Sequence, residues 1–257
     1  MTRALTASSH SLDRLNRQII ACERCPRLIL HCRQVAQVKR RAFMDWDYWG
    51  KPVPGFGDPN ARVLILGLAP GAHGSNRTGR PFTGDGSGKF LFPILYRAGF
   101  ASQPHATDRH DGLRLRDAYI TSVARCAPPG NKPTPQELSN CSGFLDLELA
   151  LLPNLRVVVA LGRIAFDGYL NHLRRRGLLT QRSAYLFGHD ERYPTPDGRI
   201  LLASYHPSMQ NTLTGRLTEK MFLDVFRRAR RLAGLPPAPR RQPAATPASG
   251  QQNPAQS

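Results

Sequence analysis

The chain has 257 residues, of which 40% are hydrophobic, and 36 Lys and Arg against 18 Asp and Glu give it a formal net charge of +18. This length predicts one domain of about 200 residues with tails. No apolar run approaches the roughly 18 residues of a membrane span, and the N-terminus lacks a signal peptide's apolar stretch, so we expect a cytoplasmic protein without a membrane partner. The excess of basic residues indicates a polyanionic partner, because each neutralised phosphate releases counterions. A basic composition without any partner is the alternative.

Helical and strand patterns alternate along the chain. Apolar positions recur at helical spacing over residues 12–41 and are interrupted at Cys25-Pro26, which predicts two helices around a cysteine turn. Short apolar runs predict buried parallel strands at residues 63–68, 118–123, 155–161 and 200–205, with helices at 89–98, 135–152, 163–175 and 216–232. The fold class is therefore α/β. We expect a flexible N-terminus over residues 1–11, one domain over 12–234, and a disordered basic, Pro-rich tail over 235–257.

A glycine-rich loop, residues 67–88, leaves the first predicted strand. Active sites of open α/β sheets lie at such strand ends. Among the glycines stand one acid, Asp85, one ring, Phe82, and the polar residues His73, Ser75 and Asn76. A phosphate-binding loop is disfavoured because GxGxxG is absent and Phe90 replaces the Ser or Thr that should follow Lys89.

Four of the five cysteines form two pairs. Cys22 and Cys25 make a CxxC, whereas Cys126 and Cys141 stand further apart in the sequence. Four converging thiolates can hold zinc or an iron–sulfur cluster, and the wide second pair favours [4Fe–4S] over zinc. Buried free thiols are the alternative. Cys32 lies on a helical pattern and is expected in the core.

A second polar segment follows the strand predicted at residues 200–205. His206, fixed by Pro207, can donate a hydrogen bond to a developing anion at the edge where the first loop emerges, or cap its own loop. Met209 and Leu213 follow without helical or strand periodicity. They either fill the gap left by a displaced base or pack under the loop.

Together these motifs resemble the uracil-DNA glycosylase superfamily, and most closely its family 5, the iron–sulfur type B enzymes. The resemblance covers residues 12–234. It rests on GLAPG at 67–71, TGRPFTGD at 78–85, RCAPPGNKPT at 125–134, HPS at 206–208, and QNT at 210–212 with TGRLT at 214–218.

The resemblance implies a three-layer α/β sandwich with a central four-stranded parallel sheet flanked by helices. It implies a [4Fe–4S] cluster on Cys22, Cys25, Cys126 and Cys141. It also implies excision of uracil from DNA by hydrolysis of the N-glycosidic bond, which leaves an abasic site. The expected partner is DNA containing uracil or other deaminated bases, and the expected state is a monomer, nucleoid-associated if the source is bacterial.

Two positions depart from related families. Where other families carry an acid or amide in the first motif, this chain has Leu68, so the acid must come from elsewhere, and the resemblance to family 5 implies Asp85 in the same loop. Ser122 stands where family 4 has an Asn that reads uracil, which leaves Asn131 as the nearest amide. We therefore expect a base preference that extends to hypoxanthine, xanthine or etheno adducts.

The predicted site assigns a role to each motif. Asp85 holds water or counters charge on the sugar, and His206 donates to the uracil oxygen. Phe82 stacks on the base. The remaining predicted substrate contacts are Asn131, Ser208 and the segment Gly67, Leu68, Ala69, Pro70, Gly71 and Ala72; the predicted DNA contacts are Met209, Gln210, Asn211, Leu213 and Arg216. A non-catalytic iron–sulfur nucleic-acid-binding protein is the alternative, and a metal-stabilised nucleotide-binding module is disfavoured by the loop mismatch.

Overall fold

A twisted sheet of six strands forms the centre of the domain. The computed structural model describes residues 2–239, with side chains described from residue 11 onward. The strands are β1 Phe56–Gly57, β2 Val63–Gly67, β3 Ala118–Ser122, β4 Val157–Leu161, β5 Arg192–Pro194 and β6 Ile200–Ser204, in the order β1-β3-β2-β4-β6-β5. The four inner strands are parallel, and the two edge strands are antiparallel to their neighbours.

All four predicted strands are present, and the α/β class is confirmed. The expectation of a purely parallel four-stranded sheet was incomplete, because β1 and β5 extend the sheet at both edges. Both edge strands are short and neither is buried, so they lack the apolar runs that identify the inner four.

Helices cover both faces of the sheet. They are α1 Thr2–Ile20, α2 Pro26–Val38, α3 Ser75–Thr78, α4 Gly86–Arg97, α5 Pro135–Leu151, α6 Arg163–Arg175, α7 Met209–Leu213 and α8 Glu219–Leu232, with single 3₁₀ turns at Arg41–Phe43, Pro129–Asn131 and Arg182–Ala184. Along β2, Ile65 packs with α4 and α8 on one face, whereas Leu64 packs with α5 and α6 on the other. Three layers result, as alternating side chains of a strand buried on both faces require.

The N-terminal helices pack at the outside of this sandwich. Leu15 and Ile19 of α1 are buried against Phe144 of α5. The backbone of α1 begins at Thr2, within the segment for which the sequence predicts a flexible N-terminus. Most of the predicted tail, residues 240–257, lies outside the described residues. Within the described chain no helix is both long and apolar enough to cross a membrane.

Side-chain caps fix where the helices that border the site begin. Asp85 caps α4, and Ser208 caps α7. At α8 the Thr218 side chain accepts from the Met221 N–H, so this helix begins at Glu219 rather than at residue 216 as the sequence pattern predicts. The two loops that leave β2 and β6 thereby end at defined points, and both border the same cavity.

Candidate active site

A cavity of about 790 Å³ lies at the carboxyl ends of the parallel strands. Its volume is within the usual range for small-molecule sites. The loop after β2 supplies most of its wall, and the end of β3, the loops that follow β3 and β6, and the segment between α2 and β1 supply the rest. The predicted site residues that line it are Leu68, Ala69, Pro70, Gly71, Ala72, Phe82, Asp85, Asn131, His206, Ser208 and Met209. Gly67, Gln210, Asn211, Leu213 and Arg216 do not.

Asp85 is held at the first turn of α4. Its backbone is extended, and its Oδ1 accepts the Gly88 N–H at 2.9 Å. The other oxygen, Oδ2, faces glycine, because a Cβ on Gly71 would lie 3.0 Å from it and one on Gly74 would collide with it. Burial raises the pKa of Asp85, while N–H groups of Gly88 and Ser87 and the Arg77 charge oppose that rise. The carboxylate is thus oriented by the helix start and has one oxygen directed away from the cap.

Phe82 and His206 form an aromatic wall of the cavity. Their ring centroids are 5.9 Å apart, with the planes inclined by 32°. A Cβ on Gly67 would lie 2.9 Å from the Phe82 ring, so the glycine at the end of β2 makes room for this ring. Although Gly67 does not line the cavity, it therefore determines the position of a residue that does.

His206 lies directly after β6 and is neutral at physiological pH. Burial lowers the pKa of its imidazole to about 4. The Asn211 side chain donates to the His206 carbonyl at 2.8 Å, which fixes the backbone at this point. A neutral imidazole keeps one N–H and can donate a hydrogen bond to a developing anion.

Residues 209–213 form the short helix α7, which corrects the prediction of an irregular loop here. Ser208 accepts a hydrogen bond from the Asn211 N–H at 3.4 Å and thereby caps it. Met209 and Leu213 are 62% and 79% exposed, so the alternative in which they pack under the loop is wrong. Met209 lies at the cavity mouth against Gly86, whereas the Arg216 guanidinium stacks 4.6 Å from the Tyr205 ring.

The end of β3 and the loop after it contribute two polar groups to the cavity wall, Ser122 and Asn131. Asn131 follows Gly130, and both residues have left-handed backbones, with φ near +60°. This 3₁₀ turn presents the exposed Asn131 side chain at the rim rather than at the strand end. Ser122 is buried at the strand end, and its hydroxyl lies beside Gly67.

Four residues of the cavity wall were not identified from the sequence. Arg40 and Phe43 come from the segment after α2, far from either motif, and Lys89 lies in the first turn of α4. Val53 completes the wall before β1. No periodicity or motif in the sequence links residues 40–53 to the strand ends, whereas Lys89 directly follows the glycine-rich loop.

The thiols of Cys22, Cys25, Cys126 and Cys141 lie in one region beside the sheet. Negative charges on Cys22 and Cys25 would interact electrostatically with Cys141, and charges on Cys22 and Cys141 would interact with Cys126. The four side chains are therefore neighbours. Burial raises the pKa of Cys141, and the backbone N–H of Arg125 opposes that rise. The Asn140 side chain donates to Cys25 Sγ at 3.4 Å. The chain thus brings together all four predicted ligands from two widely separated segments.

Cys32 is fully buried beside this group, as expected for a core residue. Its thiol donates to the Ala127 carbonyl at 3.7 Å, and it packs with Leu28 and Ile29 of α2. It also lies in hydrogen-bonding contact with Cys126. Cys32 thus packs against the predicted ligand Cys126 on the core side.

A buried ion pair joins the segments that carry Cys126 and Cys141. Arg125 is fully buried and donates to Glu148 of α5 at 2.6 Å, while the Thr121 hydroxyl donates to the same carboxylate at 2.8 Å. Because removing one partner of such a pair leaves an uncompensated charge, the relative position of β3 and α5 is strongly constrained. The two distal cysteines are therefore positioned by the domain core.

The fold and the site together define a class of protein. Residues 54–230 match the model of the uracil DNA glycosylase superfamily. The chain belongs to this superfamily.

Among its relatives are proteins named type-5 uracil-DNA glycosylase. The one from Thermus thermophilus is 56% identical over 217 residues, which cover 84% of this chain and 96% of the relative. The one from Mycobacterium tuberculosis is 48% identical, covering 90% of this chain and 85% of the relative. The one from Pyrobaculum aerophilum is 46% identical, covering 86% and 93%.

Proposed function

We propose that this protein excises uracil from DNA by hydrolysing the N-glycosidic bond of a nucleotide flipped into the cavity at the strand ends. Family membership and relatives that are similar over most of the chain support this function. The observation that carries the mechanism is that Asp85 and His206, from two loops separated in sequence, line the same cavity. An enzyme acting on a base inside a duplex must extrude it into such a pocket.

The breaking bond develops charge of opposite sign at its two ends. The leaving uracil becomes negative, and the sugar becomes positive. Neutral His206 donates a hydrogen bond to the uracil oxygen, and Asp85 counters the sugar's charge or accepts a proton from the attacking water. The Gly88 N–H bonds to Oδ1 of Asp85, and Oδ2 faces Gly71 and Gly74 of the cavity wall, where it takes this role.

The base itself is held by the aromatic wall and the β3 loop. Phe82 is only 8% exposed, and its fixed ring offers a stacking surface beside His206. Asn131 reads the base edge together with the backbone of the segment that follows β2. Because Ser122 is a small hydroxyl at the strand end, the pocket can also admit other deaminated or damaged bases.

Helix α7 contacts the DNA around the extruded nucleotide. Met209 and Leu213 project apolar side chains into solvent beside the cavity, which fits a wedge that fills the vacated space in the duplex. Ser208 and Gln210 contact the strand. Asn211 and Arg216 act indirectly, since the former holds the His206 backbone and the latter covers Tyr205.

We further infer that the four cysteine thiols hold a [4Fe–4S] cluster. No group of three His, Cys, Asp or Glu side chains within the described part of the chain is arranged to bind one metal ion. A single zinc ion needs all four sulfurs about 2.3 Å from one point, whereas each thiolate of a cubane binds a different iron. The wide separation of Cys126 and Cys141 in the sequence is the feature that favours the cluster over zinc. The cluster would join the N-terminal helices to the sheet and supply no step of the hydrolysis.

A uracil-containing oligonucleotide provides the deciding experiment. Treatment with the protein and then with hot alkali should break the strand at the uracil, and the same strand with thymine should stay intact. DNA binding without a strand break would favour the non-catalytic iron–sulfur alternative. A cytoplasmic monomer, nucleoid-associated in a bacterial cell, stays a prediction from the sequence.

A further inference from the structure

The cavity mouth has a second projecting segment besides α7, which we define as residues 40–46. Arg40 and Phe43 of this segment line the cavity. The Phe43 ring lies on the Arg77 guanidinium, which donates to the Gly84 carbonyl at 2.8 Å. On the other side of Asp85, Gly86 packs under Met209 of α7. Residues 40–46 and α7 therefore flank the backbone that carries the reactive carboxylate.

Arg77 fixes the segment in place. Its guanidinium lies between the Phe43 and Trp46 rings, 3.9 and 4.0 Å from their centroids. Its Nε donates to the His73 carbonyl at 2.8 Å. Stacked cations of this kind contribute appreciably when removed from solvent, and Arg77 is only 3% exposed. The segment is thus attached rigidly to the loop that holds Asp85.

The outer side of the segment presents charge and apolar surface to solvent. Arg40 and Arg41 are exposed, and neither forms an ion pair with any side chain that the structure describes. Burial lowers the pKa of His73, and the positive charge of Arg40 lowers it further. Arg40 therefore lies close to this part of the cavity wall. Met44, the apolar residue of this outer side, is 54% exposed.

Two acidic residues limit how far the positive charge of residues 40–46 extends along the chain. Asp45 and Asp47 are exposed on the same stretch of chain, but neither lines the cavity. Asp85 is therefore the acid of the cavity wall, and the charged side chains beside it are basic, Arg40 on this side and Lys89 on α4. A polyanion is the partner that complements this charge.

We propose that residues 40–46 form a second DNA-contacting element, in which Arg40 and Arg41 bind phosphates and Met44 packs against a nucleotide next to the flipped one. The inference rests on the proposed function, because the flipped nucleotide determines where its neighbours lie. Helix α7 then contacts the duplex on one side of Asp85, and residues 40–46 contact it on the other. The strand is thereby held on both sides of the bond to be broken.

Equilibrium binding to a duplex with a non-hydrolysable deoxyuridine analogue tests this element without requiring turnover. Arg40→Ala should lower the slope of log affinity against log salt by about one and weaken binding about eightfold at roughly 0.1 M salt. Met44→Ala should weaken binding about fivefold with an unchanged salt slope, because its contact is apolar and contributes about the free energy of burying one methylene group. Matched controls are Arg174→Ala, exposed at the last turn of α6, and Leu147→Ala, 49% exposed on α5. Both controls should bind as wild type does.

A photoreactive side chain at position 44 provides a second measurement. It should crosslink to a nucleotide flanking the analogue, and the same group at position 147 should not. Affinities equal to the controls together with no crosslink from position 44 would overturn the inference, even if the wild-type protein excises uracil. Loss of affinity in a protein that does not excise uracil would refute the proposed function and leave the DNA contact standing.

Discussion

Replacing Asp85 by Asn separates its role in the reaction from its role in the fold. The Asn side chain keeps an oxygen that can accept the Gly88 N–H, and Asn and Asp are equally good N-caps. The substitution removes the negative charge and replaces Oδ2 by an NH2 group, which cannot accept a proton from water. We expect the single-turnover excision rate to fall by on the order of 10²- to 10⁴-fold, which corresponds to about 3 to 5 kcal/mol in the barrier.

Stability should change little or increase. Because burial raises the pKa of Asp85, the fold disfavours its ionised form, and Asn removes that cost at neutral pH. The difference in unfolding free energy between the two proteins should shrink as the pH falls through the Asp85 pKa, since protonated Asp is neutral like Asn. Asp85→Ala is the matched comparison: it removes both the charge and the cap and should lower stability by about 0.5 to 2 kcal/mol.

The assay combines excision under enzyme excess with urea unfolding of all three proteins. The expected pattern is a large rate loss in both variants and a stability loss only in Asp85→Ala. If the Asn variant excised uracil within a few-fold of the wild-type rate, the catalytic assignment would be refuted. Water would then be positioned by another group on the cavity wall, such as His73.

Three further outcomes follow from the same geometry. Because burial lowers the pKa of His206 to about 4, the imidazole should contribute no inflection near pH 6.5 to the excision rate; an inflection near 6.5 that His206→Asn abolishes would contradict a neutral imidazole. Cys126→Ser should lose bound iron and visible absorbance while Cys32→Ser keeps both, and iron loss in the latter would change the ligand set. Removing residues 235–257 should weaken DNA binding only modestly in a titration, since two of the 36 basic residues lie there.

The inner strands could be predicted because burial on both faces leaves an unbroken apolar run, as in the Val63–Gly67 strand. The edge strands could not, because each is defined by pairing with a neighbour rather than by composition. Arg192–Pro194, for instance, contains a proline and two exposed residues. Helix α7 escaped detection for a related reason: five residues are too few to show a period, and the Ser208 cap holds them.

The two catalytic candidates could be located from the sequence because each follows a parallel strand, and all such strand ends meet at one edge of the sheet. Arg40 and Phe43 had no comparable signal. At the cavity this distant segment contacts the loop through Arg77, which stacks on the rings of Phe43 and Trp46. Tertiary contacts between segments that are distant in the sequence leave no regular spacing by which they could be recognised.

The backbone of Phe82 has a φ of +52°, a left-handed conformation that costs a residue with a bulky side chain about 1 to 2 kcal/mol. The residue is kept there because its carbonyl lies where a side chain on Gly88 would be and its ring fills the space left by Gly67. The ring therefore has its final direction before any base enters. A ligand that stacks on it loses no free energy to ordering the ring, because that ordering was completed when the protein folded.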